Sequence, residues 1–148
     1  MTDEQAVLSD AALTTFRLNG QFLALAETLA QPAGLTASWW QVLGAVLAEP
    51  LTVSAIAREM GMARQSVQRV ADILVDRGLA AYHDNPAHRR AKLVAPTEAG
   101  LEAVRRITPQ HADAAAALVG ELGPERAREC VQSLHDLSSA LQRIAKER

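Results

Sequence analysis

Residues 61–92 hold the side chains with the most explicit chemistry. Arg64, Gln65, Ser66, Gln68 and Arg69 stand in one short run, and His88, Arg89, Arg90 and Lys92 follow an Asp84-Asn85-Pro86 turn. Guanidinium and carboxamide groups carry paired hydrogen-bonding atoms that match the major-groove edges of guanine and adenine, and an arginine at a hairpin tip suits the narrower, more negative minor groove. The chemistry these residues fit is hydrogen bonding to duplex DNA rather than bond making. His83, His88, His111 and His135 are scattered, no Gly-rich phosphate loop appears, and no Ser, His and Asp set sits in a catalytic motif context. The chain is therefore read as no enzyme, with no metal site and no cofactor.

Groups of this kind need elements that aim them. At the helical step of about 100° per residue, Gln65, Gln68, Arg69 and Asp72 share the side of Arg64, while Val67, Val70, Ala71 and Leu74 take the opposite side. Just upstream, Thr52 is a candidate N-cap, Val53, Ile56, Ala57 and Met60 recur at helical spacing, and Gly61 can adopt the left-handed backbone that stops a helix. This is helix, tight turn, helix, in which the first helix braces the second across a groove and Thr52 is a further polar contact to DNA. Leu79-Ala80-Ala81-Tyr82-His83 and Ala91-Lys92-Leu93-Val94-Ala95 are short strand candidates joined by turn chemistry. The expectation is a two-stranded wing behind a recognition helix. Arg58 and Arg77 are candidates for DNA as well, although a solvated face would equally account for them.

Helices are expected on both sides. The first covers about residues 9–30 and carries Leu18, Phe22, Leu25 and Leu29; the second is capped by Thr36 and runs through Trp40, Leu43 and Leu47 to Glu49-Pro50. Thr97 is read as the cap of a fifth, which Thr108-Pro109 bends or interrupts, and Gly123-Pro124 opens a sixth. Along that last helix Cys130, Leu134, Leu137, Leu141 and Ile144 form a heptad seam, fitted to pack on the first helix of a partner copy and the fifth of its own. Leu18, Phe22, Leu134, Leu137, Leu141 and Ile144 are thus the dimerisation candidates. The fold class is mainly α with a small β-wing: residues 1–34 an N-terminal dimerisation helix, 35–96 a winged helix-turn-helix domain, 97–148 C-terminal dimerisation helices.

A chain of 148 residues, 49% hydrophobic, suits one small regulator-sized unit without an added catalytic domain. No apolar run approaches the roughly 20 residues of a membrane span, and Met1-Thr2-Asp3-Glu4 is acidic where a signal peptide is positive. With a single cysteine, these features point to a cytoplasmic protein without membrane contact. The formal net charge of −2 conceals a division: residues 1–60 carry −4, residues 61–92 carry +3 and residues 93–148 carry −1. Positive charge is concentrated where phosphates would be met.

The order and spacing of these pieces resemble the multiple antibiotic resistance regulator (MarR) family of winged-helix transcription factors. The resemblance runs from Leu35-Thr36-Ala37-Ser38-Trp39-Trp40 through Thr52-Val53-Ser54-Ala55-Ile56-Ala57 and Arg64-Gln65-Ser66-Val67-Gln68-Arg69 to the wing and Pro96-Thr97-Glu98-Ala99-Gly100. It implies a homodimeric transcription regulator bound to a palindromic operator, usually as a repressor, and released by a small ligand or by oxidation. Trp39 and Trp40 face different directions, so one is expected in the core and the other is a candidate to line a cavity. The resemblance implies an aromatic ligand there, and plain packing competes for both. Two departures stand out: Ala63 replaces the family's serine cap before the recognition helix, and His88 replaces an aspartate two positions before the minor-groove arginine, here Arg90. Peroxide-sensing relatives place their cysteine in the first helix, whereas Cys130 lies on the heptad seam. Redox sensing through Cys130 and a winged helix turned to protein interaction are the alternative readings.

Overall fold

The computed structural model describes residues 1–148, dominated by helix. In chain order the elements are α1 (Asp3–Ala30), α2 (Ala37–Ala45), β1 (Leu51–Thr52), α3 (Val53–Met60), α4 (Arg64–Asp76), β2 (Ala80–His83), β3 (Leu93–Pro96), α5 (Glu98–Leu122) and α6 (Pro124–Glu147), with a 3-10 turn at Gln31–Ala33. No helix is long and apolar enough to cross a membrane. The chain divides into two compact units, Met1–Thr108 and Pro109–Arg148.

In the first unit, α2, α3 and α4 pack around one apolar core. Val42 and Leu43 of α2, Ile56 of α3, Val67 and Leu74 of α4, Val94 of β3 and Ile107 of α5 are fully or almost fully buried. Each large aliphatic side chain buried in this way contributes about 1.5–3 kcal/mol. The apolar side assigned to α4 from its periodicity, Val67, Val70, Ala71 and Leu74, is its buried side. Both ends of α3 behave as their residue types dictate. Thr52 accepts a hydrogen bond from Ala55 N at 3.1 Å, and Gly61 closes α3 at φ +62°, a backbone that costs a residue with a Cβ about 1–2 kcal/mol.

The wing is part of a three-stranded antiparallel sheet of order β1-β3-β2, not a two-stranded hairpin alone. Leu51 pairs with Val94 and Thr52 with Leu93, while on the other side Tyr82 pairs with Val94 and His83 with Leu93. Two residues are too short to show the alternation that marks a strand, which is why β1 has no signature in the sequence. Its register nonetheless ties the N-terminus of α3 to the root of the wing.

Several element boundaries differ from the sequence expectation. α1 begins at Asp3 rather than near residue 9, because Thr2 and Gln5 form a reciprocal capping box. α2 stops at Ala45, where Val46 N turns to Leu43 O and Leu47 N to Gly44 O in tighter turns. α5 is not interrupted at Thr108-Pro109: the helix continues to Leu122. Pro109 and Arg105, four residues before it, are both exposed, so the carbonyl that loses its helical donor lies where water can reach it. Thr97 caps this helix as expected, accepting from Gly100 N at 3.2 Å, and its hydroxyl also donates to Gly78 O at 2.6 Å.

In the second unit α6 buries no residue, and Leu134, Leu137, Leu141 and Ile144 are 41–56% exposed.

Candidate nucleic-acid interface

α4 presents the face that its sequence promised. Arg64, Gln65, Gln68 and Arg69 are exposed, Ser66 is half-buried, and Val67 and Val70 between them are buried. The helix starts without a side-chain cap, since Ala63 has the extended backbone of an N-cap (φ −68°, ψ 141°) but no oxygen to offer. Its first-turn N–H groups therefore remain open to an outside acceptor, at the end where the helix dipole favours an anion.

Beside α4 lies a cleft of about 480 Å³. Thr52, Val53 and Ser54 form its wall at the N-terminus of α3, Arg64 and Gln68 come from α4, and Tyr82, Arg90, Ala91 and Lys92 come from the wing. Half of the ten residues assigned to DNA from sequence, Thr52, Arg64, Gln68, Arg90 and Lys92, thus meet around one concavity. No carboxylate lines it, whereas three cations do. Thr52 has already accepted from Ala55 N, yet its hydroxyl proton stays available to a phosphate oxygen.

The wing tip projects the remaining charges. Asn85 Oδ1 accepts from Ala87 N at 3.0 Å and its carbonyl accepts from His88 N at 3.1 Å, the side-chain turn its residue type favours. Beyond it His88, Arg89 and Arg90 are all exposed. Lys92 lies 3.6 Å from Asp84, but with side chains 58% and 98% exposed this pair is worth at most about 1 kcal/mol and yields readily to a phosphate.

Three residues of this region have roles that the sequence did not disclose. Gln68 Nε2 donates to Asp72 Oδ1 at 3.1 Å and to Tyr82 Oη at 3.0 Å, and the Tyr82 hydroxyl donates to Asp72. Burial first, then the hydrogen bond to Asp72 and its charge, hold the Tyr82 phenol well above its ordinary titration range. Asp72 could have been paired with Gln68 from their spacing of four on one helix face, but nothing local indicates that a strand residue closes the set. Arg77 is turned elsewhere, its guanidinium carbon 5.2 Å from the centre of the Trp39 ring, a cation–π contact. Both Trp39 and Trp40 are half-buried and pack against the core, so neither is wholly enclosed. Of the dimerisation candidates on α1, Leu18 is half-buried and Phe22 is 53% exposed.

Known proteins are similar to this chain in sequence and fold. Residues 33–91 match the model of the MarR family. A Mycobacterium tuberculosis protein of uncharacterized function is 41% identical over 108 residues, 73% of each chain. The crystal structure of a MarR family transcriptional regulator from Silicibacter pomeroyi superposes with a TM-score of 0.77 at 26% identity, over 89% of both chains. BpsR of Bordetella bronchiseptica, whose DNA binding is regulated by 6-hydroxynicotinic acid, superposes with a TM-score of 0.74 at 23% identity, over 87% of this chain and 98% of that one. With its winged-helix fold, its family match and its polar reading face, the chain belongs to the MarR family, whose members are transcription regulators and not enzymes.

Proposed function

We propose that this regulator is a homodimer that binds a palindromic operator, represses from it and is released by a small ligand. The observation that carries the DNA-binding part is the cleft in which Thr52, Arg64, Arg90 and Lys92 converge beside the exposed Arg64, Gln65 and Arg69 face of α4. Two such faces, related by a twofold axis, enter successive major grooves about 34–36 Å apart, and Arg89 and Arg90 reach the flanking minor grooves. His88 and Lys92 add contacts to the backbone. Ser66, half-buried at the start of α4, lies close enough to the open helix N-terminus to join a phosphate contact.

Release follows from the same geometry. A ligand that prefers a dimer spacing unlike that of successive grooves lowers DNA affinity, by no more than its own preference between the two spacings. Regulation of BpsR by 6-hydroxynicotinic acid supports a small aromatic inducer here, with Trp39 and Trp40 as the residues to meet it.

The test is a gel shift on a palindrome from the protein's own promoter at several salt concentrations. Log affinity is expected to fall with log salt at about 0.9 per phosphate neutralised, with the slope unchanged and the affinity reduced on a scrambled duplex. Association that is absent, or indifferent to salt, overturns the reading and leaves the protein-interaction module in its place.

A further inference from the structure

The Gln68 carboxamide is held on one side and open on the other. Its Nε2 donates to Asp72 Oδ1 and to Tyr82 Oη, and the Tyr82 hydroxyl donates to Asp72. Because those two acceptors are hydrogen-bonded to each other, they lie side by side as seen from Nε2 and share a single N–H. The second N–H, across the trigonal nitrogen, and Oε1 remain open to an outside partner. Of the two N–H groups, the one that points away from the carbonyl suits the carboxylate better, since it keeps Oε1 farther from the Asp72 charge. The open N–H is then the one beside Oε1, and together they make a donor and acceptor edge.

The last torsion of a glutamine has two broad, nearly equivalent orientations, so a free amide readily exchanges its donor for its acceptor. Here the reversed orientation would set Oε1 against Asp72 Oδ1, two acceptors with no proton between them, because the Tyr82 proton already serves the carboxylate. Resting on the DNA-binding reading above, we propose that Asp72 and Tyr82 are positioning residues that lock Gln68 in one amide orientation, so that it reads adenine and rejects guanine. Adenine accepts at N7 and donates from N6, which the locked edge matches. Guanine presents acceptors at both N7 and O6, so one of them meets Oε1 without a proton. An amide free to turn over escapes that repulsion by offering O6 an N–H.

The wing enters base selection by this route without touching a base. Tyr82 sits on β2, paired with Val94 of β3, and lines the cleft with Gln68 and Arg90. A residue of the sheet thus governs what the recognition helix can discriminate.

Selection from a library of duplexes randomised across the operator tests this on the wild-type protein, Gln68→Ala, Asp72→Asn and Tyr82→Phe. Gln68→Ala is expected to flatten one position in each half-site, which identifies it, and there the wild type is expected to favour adenine over guanine by about tenfold. Asp72→Asn keeps the shape of the side chain but adds a donor that a reversed amide can use. It is expected to bring guanine within about threefold of adenine at that position and to leave the rest of the motif intact. Tyr82→Phe, which keeps the ring and leaves Asp72 to hold the amide alone, is expected to move the preference the same way by less. A wild type that takes any base but adenine there, or a Gln68→Ala protein with every position unchanged, overturns the proposal whether or not the other variants fold. So does an Asp72→Asn protein whose affinity changes evenly on all duplexes with unaltered preferences, since that is what a merely structural network, or the loss of a charge alone, would do. A wild type that enriches no motif overturns the DNA-binding reading itself.

Discussion

Arg64, Arg69 and Arg90 carry the same group, but their positions give them different information to read. The first two stand on the exposed face of α4 and Arg90 on the wing; in the proposed complex α4 meets base edges, whereas the wing meets a minor groove, which offers a potential rather than a pattern. Arg64→Ala or Arg69→Ala is therefore expected to cost about 1–3 kcal/mol of discrimination between operator and scrambled duplex. Arg90→Ala is expected to weaken both duplexes alike and to lower the salt slope by about 1. Fluorescence anisotropy on the two duplexes separates these outcomes, and equal losses from all three substitutions on both duplexes would remove base reading from α4. Tyr82 gives a second prediction at this scale. Its phenol keeps its proton to higher pH in the folded protein than in the unfolded chain. The stability contributed by the neutral phenol is thus fully present below the unfolded value of about 10 and is lost as pH rises from there through the raised folded value. Denaturant midpoints should fall more steeply for wild type than for Tyr82→Phe above roughly pH 10, and parallel curves would deny the shift. Because the chain has one tyrosine, ultraviolet difference absorbance follows the same ionisation directly. The cationic and amide groups of this site were legible from residue type and period. The Asp72–Tyr82 closure was not, because it depends on how β2 is seated against α4, which no local pattern encodes.

The elements that hold these side chains contain one contact with no tolerance and one vacancy. Gly100, near the start of α5, lies against the backbone of Leu79: a Cβ there would stand 2.0 Å from Leu79 O and 3.4 Å from the Leu43 side chain. The obstacle is main chain between α4 and β2, so it cannot rotate away. Gly100→Ala is expected to destabilise the protein by about 1–3 kcal/mol, as overpacking does, and to shift the wing with it. A thermal midpoint unchanged from wild type would contradict that. The vacancy is at Ala63, exposed and already in cap geometry. Ala63→Ser is expected to stabilise by about 1 kcal/mol in a denaturant titration, since it supplies an acceptor that α4 lacks without asking the backbone to move. Most of the fold was legible at this scale because α3 and α4 combine a period with punctuation: Thr52 before, Gly61 between, buried aliphatics on one side. Where the period was absent or the punctuation ambiguous, the reading erred. β1 is too short to alternate, Pro109 looks like a breaker but sits where its lost hydrogen bond faces solvent, and the α1 start depends on a Thr2–Gln5 box lying ahead of the first recognisable apolar stripe.

For the whole molecule, the question is why a chain with a net charge of −2 should hold on to a polyanion and why its longest helices are apolar on the outside. The first resolves by position, because residues 61–92 carry +3 while the flanks carry the acid. The second is what the homodimer proposed above accounts for. Val7, Leu8, Leu13, Phe16, Phe22 and Leu25 of α1 are all more than 40% exposed in a single chain, and so are Leu134, Leu137, Leu141 and Ile144 of α6. A lone protein rarely leaves so many large apolar groups in water, and their heptad-like spacing on α6 is that of a helix meant to be covered. In the proposed dimer, pairing raises operator affinity, since the second half-site is engaged at the high effective concentration set by the first. Replacing both Leu137 and Leu141 by aspartate removes the centre of that seam without touching α4 or the wing. Sedimentation equilibrium is expected to show wild type as a dimer and the double variant as a monomer of unchanged far-ultraviolet helicity per chain. The variant should bind a palindrome no better than an isolated half-site, with wild type clearly preferring the palindrome. A monomeric wild type, or a double variant that stays paired and keeps its preference for the palindrome, would place the dimer interface elsewhere and separate the exposed faces of α1 and α6 from DNA recognition.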